Sequence, residues 1–206
     1  MQNIYVLGSS RNATWIEGKD TNVIYPIEYA NEVPKDSTPT PDLLVFTGGE
    51  DLQPEVYNKK YDFITGNKIR DEWEITWFHW AVKNKVPMFG ICRGMQLFNA
   101  MSGGELIPHV ENHYGTHAVF APSFNPKEFH VNSIHHQMCI PAKGAVRVAW
   151  AKHLAHRGAK EPEALWFPEI RAFGVQWHPE LMPVTSFATS FVHSKLKEYF
   201  GSMERR

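Results

Sequence analysis

The chain has 206 residues, a formal net charge of -1, 43% hydrophobic residues and 21% charged residues. It contains no Lys/Arg-rich run or basic stripe and no apolar segment of transmembrane length, so neither a nucleic-acid partner nor a membrane partner is indicated. The amino terminus lacks the basic region and long apolar run of a signal peptide, which predicts a cytoplasmic protein. We expect a single domain over residues 1–206. Its two cysteines, Cys92 and Cys139, are expected to be free thiols.

The first half of the chain alternates apolar runs with helical patterns. A helix is predicted over residues 71–83, where Trp73, Trp77 and Trp80 recur on one face, and a second helix over residues 93–101. Short apolar runs between turn residues predict strands at 3–7, 23–27, 42–46 and 86–91. Strands that alternate with helices favour an α/β layered fold with parallel strands buried on both faces.

The second half has a different pattern, in which short extended segments are separated by turns. We expect these segments to add antiparallel strands to the parallel sheet. They lie near residues 116–121, 128–132, 145–150, 163–167 and 171–176. A helix over residues 184–200 is predicted to close the chain and to bury Phe187, Phe191, Leu196 and Phe200.

Cys92 lies where a predicted strand passes directly into a predicted helix, between Gly90 and Gly94. Glycines at these places allow the close backbone approach that a sharp strand-to-helix turn requires, as in a nucleophile elbow. A thiol at the first turn of a helix meets the positive end of the helix dipole, which favours the reactive thiolate. The segment therefore predicts a cysteine nucleophile.

A cysteine nucleophile needs a base and a group that orients the base. His178 and Glu180 are two residues apart in a predicted extended segment, so their side chains point to the same side. A glutamate that accepts from one ring nitrogen of His178 would direct the other nitrogen toward Cys92. These three residues form the predicted catalytic set.

Two backbone amides are candidates for an oxyanion hole. One is the N–H group of Arg93, directly after the nucleophile. The other is in the pair Gly48 and Gly49, at the carboxyl end of the neighbouring predicted strand, where ligands bind in open α/β sheets.

Five motifs that occur in order resemble the class I glutamine amidotransferase-like family. Within it the sequence is most similar to the γ-glutamyl hydrolase branch, peptidase family C26, which includes γ-glutamyl-γ-aminobutyrate hydrolases. The motifs lie at residues 46–54 (with Tyr57), 70–74, 90–96, 131–137 and 174–180. The resemblance implies a flavodoxin-like three-layer sandwich with a mostly parallel central sheet and antiparallel additions. It implies no cofactor and no metal.

The resemblance also assigns roles at matching positions. Cys92 matches the family nucleophile, His178 its general base and Glu180 the third member of the triad. Gly49 and Arg93 match the positions of the oxyanion-hole amides.

Other positions match the substrate pocket and its support. Gln96 matches a residue that contacts the glutamyl part of the substrate. The stretch from Ser133 to Gln137 matches the family's second pocket-lining loop, in which His136 is expected to lie near the substrate. Glu74 is expected to pair with Arg93 and to brace the elbow from behind.

A spacing of four residues separates His109, His113 and His117, which on a helix would place three imidazoles on one face and suggest zinc. Pro108 and Gly115 interrupt that segment, and no cysteine or carboxylate cluster accompanies it. We therefore predict no metal site.

Three functions follow from these observations. The leading prediction is a hydrolase that cleaves a small-molecule γ-glutamyl amide through a thioester and releases glutamate and an amine. The alternative is a glutaminase subunit that supplies ammonia to a separate synthetase, and the third is a catalytically silent binding module. The sequence leaves open the identity of the amine and the oligomeric state, including a homodimer.

Overall fold

The structure is a computed structural model of the chain. It describes residues 2–8, 15–16, 21–24, 33–57, 59, 66–111, 113–156 and 158–201. Of the predicted strand at 23–27, residues 25–27 lie outside the described part of the chain.

Eleven strands and three α-helices occur in the described residues. The strands are β1 (Gln2–Leu7), β2 (Thr21–Ile24), β3 (Leu43–Phe46), β4 (Met88–Ile91), β5 (Glu105–Ile107), β6 (Tyr114–Phe120), β7 (Glu128–Ile134), β8 (Met138–Ile140), β9 (Val146–His156), β10 (Ala159–Phe167) and β11 (Ala172–Val175). The helices are α1 (Lys68–Lys83), α2 (Arg93–Met101) and α3 (Phe187–Phe200), with 3-10 turns at Pro54–Tyr57, Pro168–Ile170 and Pro179–Leu181.

Nine strands form one sheet in the order β2-β1-β3-β4-β11-β10-β9-β6-β7. The strands from β2 to β11 in this order run parallel, and β10, β9, β6 and β7 extend the sheet by antiparallel pairing. Strands β5 and β8 pair antiparallel outside this sheet. The arrangement confirms the predicted α/β fold, with its parallel central strands and antiparallel additions.

The central strands are apolar throughout because both faces of the sheet are covered. In β3, Leu43 and Val45 belong to the core on one face, whereas Leu44 and Phe46 belong to the core on the other. Successive side chains of a strand point to opposite faces, so a strand between two helical layers has no polar face. This explains the continuous apolar run in the sequence.

The helices occupy both faces of the sheet. Trp73 and Trp77 of α1 and Phe98 of α2 pack in one core, whereas Phe191 and Leu196 of α3 pack in the other. The result is the predicted three-layer sandwich.

The helix boundaries follow from capping side chains. The carbonyl oxygen of the Asn67 side chain accepts from the Arg70 N–H group at 3.1 Å, so α1 begins three residues before the predicted start. Ser186 accepts from the Thr189 N–H group at 3.1 Å, so α3 begins at Phe187 and not at 184. The prediction that Phe187 is buried is wrong: it is the first residue of its helix and is 58% exposed.

The described residues contain no helix that is both long enough and apolar enough to cross a membrane.

Candidate active site

Cys92 joins β4 to α2 in a backbone conformation that is rare for a residue with a side chain. Its φ is 49° and its ψ is -101°, and its N–H group donates to the carbonyl of Val175 at 2.7 Å. Its own carbonyl accepts from the Gln96 N–H group at 3.1 Å, which closes the first turn of α2. The strained conformation is therefore held by hydrogen bonds on both sides and fixes the thiol at the helix N-terminus.

The glycines beside Cys92 are required by close backbone contacts. A Cβ atom at Gly90 would lie 2.5 Å from the backbone carbonyl carbon of Gly94. A Cβ atom at Gly94 would lie 2.3 Å from the carbonyl oxygen of Phe46. Helix α2 thus packs directly against β3 and β4, and larger residues at these two positions would move the cysteine.

His178 and Glu180 follow the carboxyl end of β11, next to β4 in the sheet. The Nδ1 atom of His178 donates to Oε1 of Glu180 at 2.6 Å, and its Nε2 atom has no hydrogen-bond partner among the described residues. Burial opposes the charge on His178, but interactions with the side chains of Cys92 and Glu180 outweigh burial and raise its pKa to about 10. The raised pKa favours the protonated form of the imidazole.

Asn132 of β7 fixes the backbone of His178. The His178 N–H group donates to Oδ1 of Asn132 at 2.8 Å, and Nδ2 of Asn132 donates to the His178 carbonyl at 2.9 Å. This reciprocal pair connects the antiparallel edge of the sheet to the histidine. Asn132 lies in the motif at residues 131–137, but the sequence assigns it no role, because the pairing joins residues 46 positions apart.

The Gly48–Gly49 segment lies against the His178 ring. A Cβ atom at Gly48 would lie 2.5 Å from Cε1 of His178, so only glycine allows this contact. Gly49 has a φ of 151°, and a Cβ atom there would lie 1.9 Å from Nη1 of Arg70. Arg70 holds the segment by donating from Nη2 to the Gly48 carbonyl at 2.8 Å and to the Thr47 carbonyl at 3.1 Å. The candidate oxyanion segment is thus fixed between two side chains.

A buried ion-pair network joins this segment to the elbow. Glu74 of α1 accepts from Nε of Arg70 at 2.8 Å and also contacts the guanidinium of Arg93. The Arg93 guanidinium is also paired with Asp71. All four side chains are almost fully buried. The structure therefore brings together Glu74 and Arg93, as the sequence analysis expected, and Asp71 and Arg70 of the same motif belong to the same network.

Gln96 lies one turn along α2 from the cysteine and is buried. Its Nε2 atom donates to the Gln137 carbonyl at 3.0 Å and to Oε1 of Gln176 at 3.4 Å. Nε2 of Gln176 in turn lies 3.4 Å from the sulfur of Cys92. Sequence analysis gave Gln176 no role, although it stands two residues before His178 in the same motif.

Ser133 and His136 lie on the β7 side of the site. The Ser133 hydroxyl donates to the carbonyl of His113 at 2.8 Å and is buried. His136 is half-exposed, with Nε2 at 3.0 Å from Oδ1 of Asp51 and Nδ1 at 3.3 Å from Nδ1 of His109. Asp51 follows the Gly48–Gly49 segment closely in sequence, so His136 contacts the loop that carries the candidate oxyanion amide.

His117 lies on strand β6, whereas His109 and His113 lie in the segments before it, so the three regularly spaced histidines do not share a helix. His113, directly before β6, contacts Glu161 at 2.6 Å, and His117 in β6 contacts Glu163 at 2.9 Å. Burial lowers the pKa of His113, but the hydrogen bond and charge of Glu161, together with the Glu111 carbonyl and the charge of Glu163, outweigh burial and raise it. Within the described part of the chain, no group of three or more His, Cys, Asp or Glu side chains has an arrangement that could hold a metal ion.

Comparison with known proteins assigns the chain to a family. The peptidase C26 family matches residues 14–180. The glutamine amidotransferase-like protein YvdE of Lactococcus lactis is 29% identical over 88% of this chain and 82% of its own length. The gamma-glutamyl-CDP-amidate hydrolase of Campylobacter jejuni is 31% identical over 66% of this chain and 61% of its own length.

The fold has counterparts among solved structures. A glutamine amidotransferase from Thermotoga maritima superimposes with a TM-score of 0.66 and 17% identity, over 96% of this chain and 84% of that one. At this identity the likeness concerns the fold alone. The family match covers most of the chain, and the chain therefore belongs to the peptidase C26 family of glutamine amidotransferase-like proteins.

Proposed function

We propose that this protein hydrolyses a γ-glutamyl amide bond through a glutamyl thioester on Cys92, with His178 and Glu180 as the other members of a triad. The observation that carries the proposal is the placement of His178. Its Nδ1 atom is held by Glu180 at 2.6 Å, and its Nε2 atom is unpartnered among the described residues while its charge is favoured by Cys92. This is the arrangement that a histidine needs to exchange a proton with substrate beside a thiol nucleophile.

In the resting state the raised pKa of His178 favours an imidazolium next to the sulfur. The N-terminus of α2 favours negative charge on that sulfur, because the first amides of a helix have no intrahelical acceptor. A thiolate and an imidazolium form in this way by transfer of one proton from Cys92 to His178. The nucleophile is then ready before the substrate binds.

Attack by the thiolate on the γ-carbonyl carbon forms a carbon–sulfur bond and places negative charge on the carbonyl oxygen. The N–H groups of Gly49 and Arg93 are the proposed donors to this oxygen. Arg70 supports the first by bonding the carbonyls before it, and the Glu74 and Asp71 carboxylates support the second by fixing the Arg93 side chain. Donors that are fixed before the reaction require no reorganisation when the charge forms.

Collapse of the tetrahedral intermediate breaks the carbon–nitrogen bond, and Nε2 of His178 gives its proton to the departing amine. The neutral imidazole then takes a proton from water, whose oxygen attacks the thioester carbonyl. Cys92 leaves as the thiolate, glutamate is released, and the imidazolium is restored. Glu180 keeps the ring in one orientation through both steps.

The test is a panel of γ-glutamyl amides assayed for glutamate release. It includes a γ-glutamyl nucleotide amidate, since one relative is named a gamma-glutamyl-CDP-amidate hydrolase. We expect partner-independent turnover of at least one γ-glutamyl amine other than glutamine. Ammonia release from glutamine only after addition of a synthetase would instead support the glutaminase-subunit alternative.

Cys92→Ala is the control, with Cys139→Ala as its matched partner. Both cysteines are buried, but Cys139 lies on β8, where it is paired in register with Leu106 of β5 outside the large sheet. We expect Cys92→Ala to abolish glutamate release and Cys139→Ala to retain it. Full activity of the folded Cys92→Ala protein would overturn the proposal.

A further inference from the structure

Gln176, the residue directly after β11, places its side-chain amide next to the sulfur of Cys92. The carbonyl of Val175 accepts from the N–H group of Cys92 at 2.7 Å, and Nε2 of Gln176 lies 3.4 Å from the Cys92 sulfur. Gln176 is fully buried and Cys92 is 5% exposed, so this contact takes place without competition from bulk water. One end of β11 therefore holds both the backbone and the sulfur of the cysteine.

The direction of the amide follows from the groups behind it. The carbonyl oxygen of Gln137 can only accept, so the atom of Gln96 that lies 3.0 Å from it must be the NH₂ group. The same NH₂ group lies 3.4 Å from Gln176, which must therefore present its oxygen to Gln96. This leaves the NH₂ group of Gln176 facing Cys92. The sulfur therefore faces a donor, since a reversed Gln176 amide would place its NH₂ group against the NH₂ group of Gln96.

The side chain is also fixed at its own backbone. The Gln176 N–H group donates to the carbonyl of Glu163 on the adjacent strand β10 at 2.8 Å. With Gln96 holding the amide oxygen, both ends of the Gln176 side chain are restrained. A donor restrained in this way favours the charge that it faces without having to be ordered first.

We propose that Gln176 is a hydrogen-bond donor to the Cys92 thiolate, a role that belongs to the proposed function and extends it by one residue. A bond from N–H to a charged acceptor is stronger than one to a neutral acceptor, so the amide favours the thiolate over the thiol. In the thioester the sulfur carries no charge and the same contact is weaker. Gln176 therefore also assists the second half of the reaction, in which the thiolate is the leaving group.

The experiment measures alkylation of Cys92 by iodoacetamide from pH 4 to pH 10, read by peptide mass spectrometry so that Cys139 is counted separately. Gln176→Met removes the donor and keeps the approximate length of the side chain. We expect the midpoint of the rate profile to move up by about one pH unit. This shift corresponds to the lower end of the energies of hydrogen bonds to charged groups. Gln176→Glu places a carboxylate beside the sulfur and is expected to move the midpoint further.

Gln53→Met is the matched control, since Nε2 of Gln53 donates to the Gly66 carbonyl at 2.7 Å and the substitution removes a bond of the same kind. We expect the control to leave the midpoint unchanged. An unchanged midpoint in both Gln176 variants, with native melting behaviour, would overturn the inference. Loss of the fold in Gln176→Met would leave the decision to Gln176→Glu, which has nearly the native shape.

The alkylation measurement needs no substrate, so it separates this inference from the proposed function. A shifted midpoint supports the inference even if the native protein cleaves no γ-glutamyl amide, and that second result would contradict the proposed function alone. Native turnover with an unchanged midpoint in the variants would contradict the inference alone.

Discussion

Replacing Glu74 by Gln tests how strongly the buried ion pairs brace the site. Glu74 is fully buried and its carboxylate contacts both Arg70 and Arg93. The amide of Gln has the same shape but no charge, and it has one acceptor atom in place of two. The substitution therefore leaves two buried guanidinium groups with weaker compensation.

The expected loss of folding stability follows from the typical energies of buried ion pairs. Removing one partner of such a pair typically destabilises a protein by 3–5 kcal/mol, because the other charge stays buried. Because Arg93 keeps its contact with Asp71, we expect Glu74→Gln to lose about 3 kcal/mol of folding stability, the lower end of this range. For a chain of this size that loss corresponds to a fall in Tm of about 6–12 °C.

The assay is denaturant unfolding of the native protein and the variant, with Glu72→Gln as the matched control. Glu72 lies on the same helix and pairs with Lys68 at 3.8 Å, but both side chains are largely exposed. We expect the control to lose less than about 0.5 kcal/mol. A loss below about 1 kcal/mol for Glu74→Gln would refute the view that these charges brace the elbow.

Three further predictions address the histidine and a helix end. Gly48→Ala would place Cβ 2.5 Å from Cε1 of His178, and we expect kcat to fall by about 100-fold from the displaced ring while the melting temperature changes little. A native melting curve with undiminished kcat would contradict this expectation. By NMR, His178 should titrate near pH 10 in the native protein and at lower pH in Cys92→Ala, because Cys92 is among the groups that raise its pKa. The raised pKa of His178 stabilises the folded state fully below about pH 6.5, the pKa of histidine in the unfolded chain, and this contribution is lost as the pH rises through about 10. A titration of His178 near pH 6.5 in the native protein would refute the assignment. Ser186→Ala removes the acceptor for Thr189 at the start of α3 and should cost about 1 kcal/mol in chemical unfolding, and no measurable loss would argue against the cap.

The fold was predictable where local pattern and tertiary environment agree. The strand ending at Phe46 and the helix from Arg93 to Met101 lie where the apolar runs and glycines placed them. The starts of α1 and α3 were predicted less accurately, because the capping side chains of Asn67 and Ser186 decide these boundaries. The exposure of Phe187 was not predictable, since helical periodicity does not show whether a terminal turn extends past the sheet.

Some contacts of the candidate site were predictable from the sequence and others were not. The sequence indicated the pair His178 and Glu180, but the predicted extended geometry is wrong, because β11 ends at Val175 and Glu180 lies in the 3-10 turn Pro179–Leu181. The contacts of Asn132 with His178 and of Gln176 with Cys92 depend on which strands are neighbours. Neighbouring strands in this sheet are distant in the sequence, so no local pattern specifies those contacts.

Rapid quenching of a reaction with a cleaved γ-glutamyl amide tests the central claim most directly, with the mass of the Cys92 peptide measured at each time. We expect a glutamyl adduct on that peptide that forms at least as fast as glutamate appears and decays when substrate is exhausted. Turnover at the native rate without any adduct on Cys92, or an adduct that never turns over, would contradict a thioester mechanism at this cysteine.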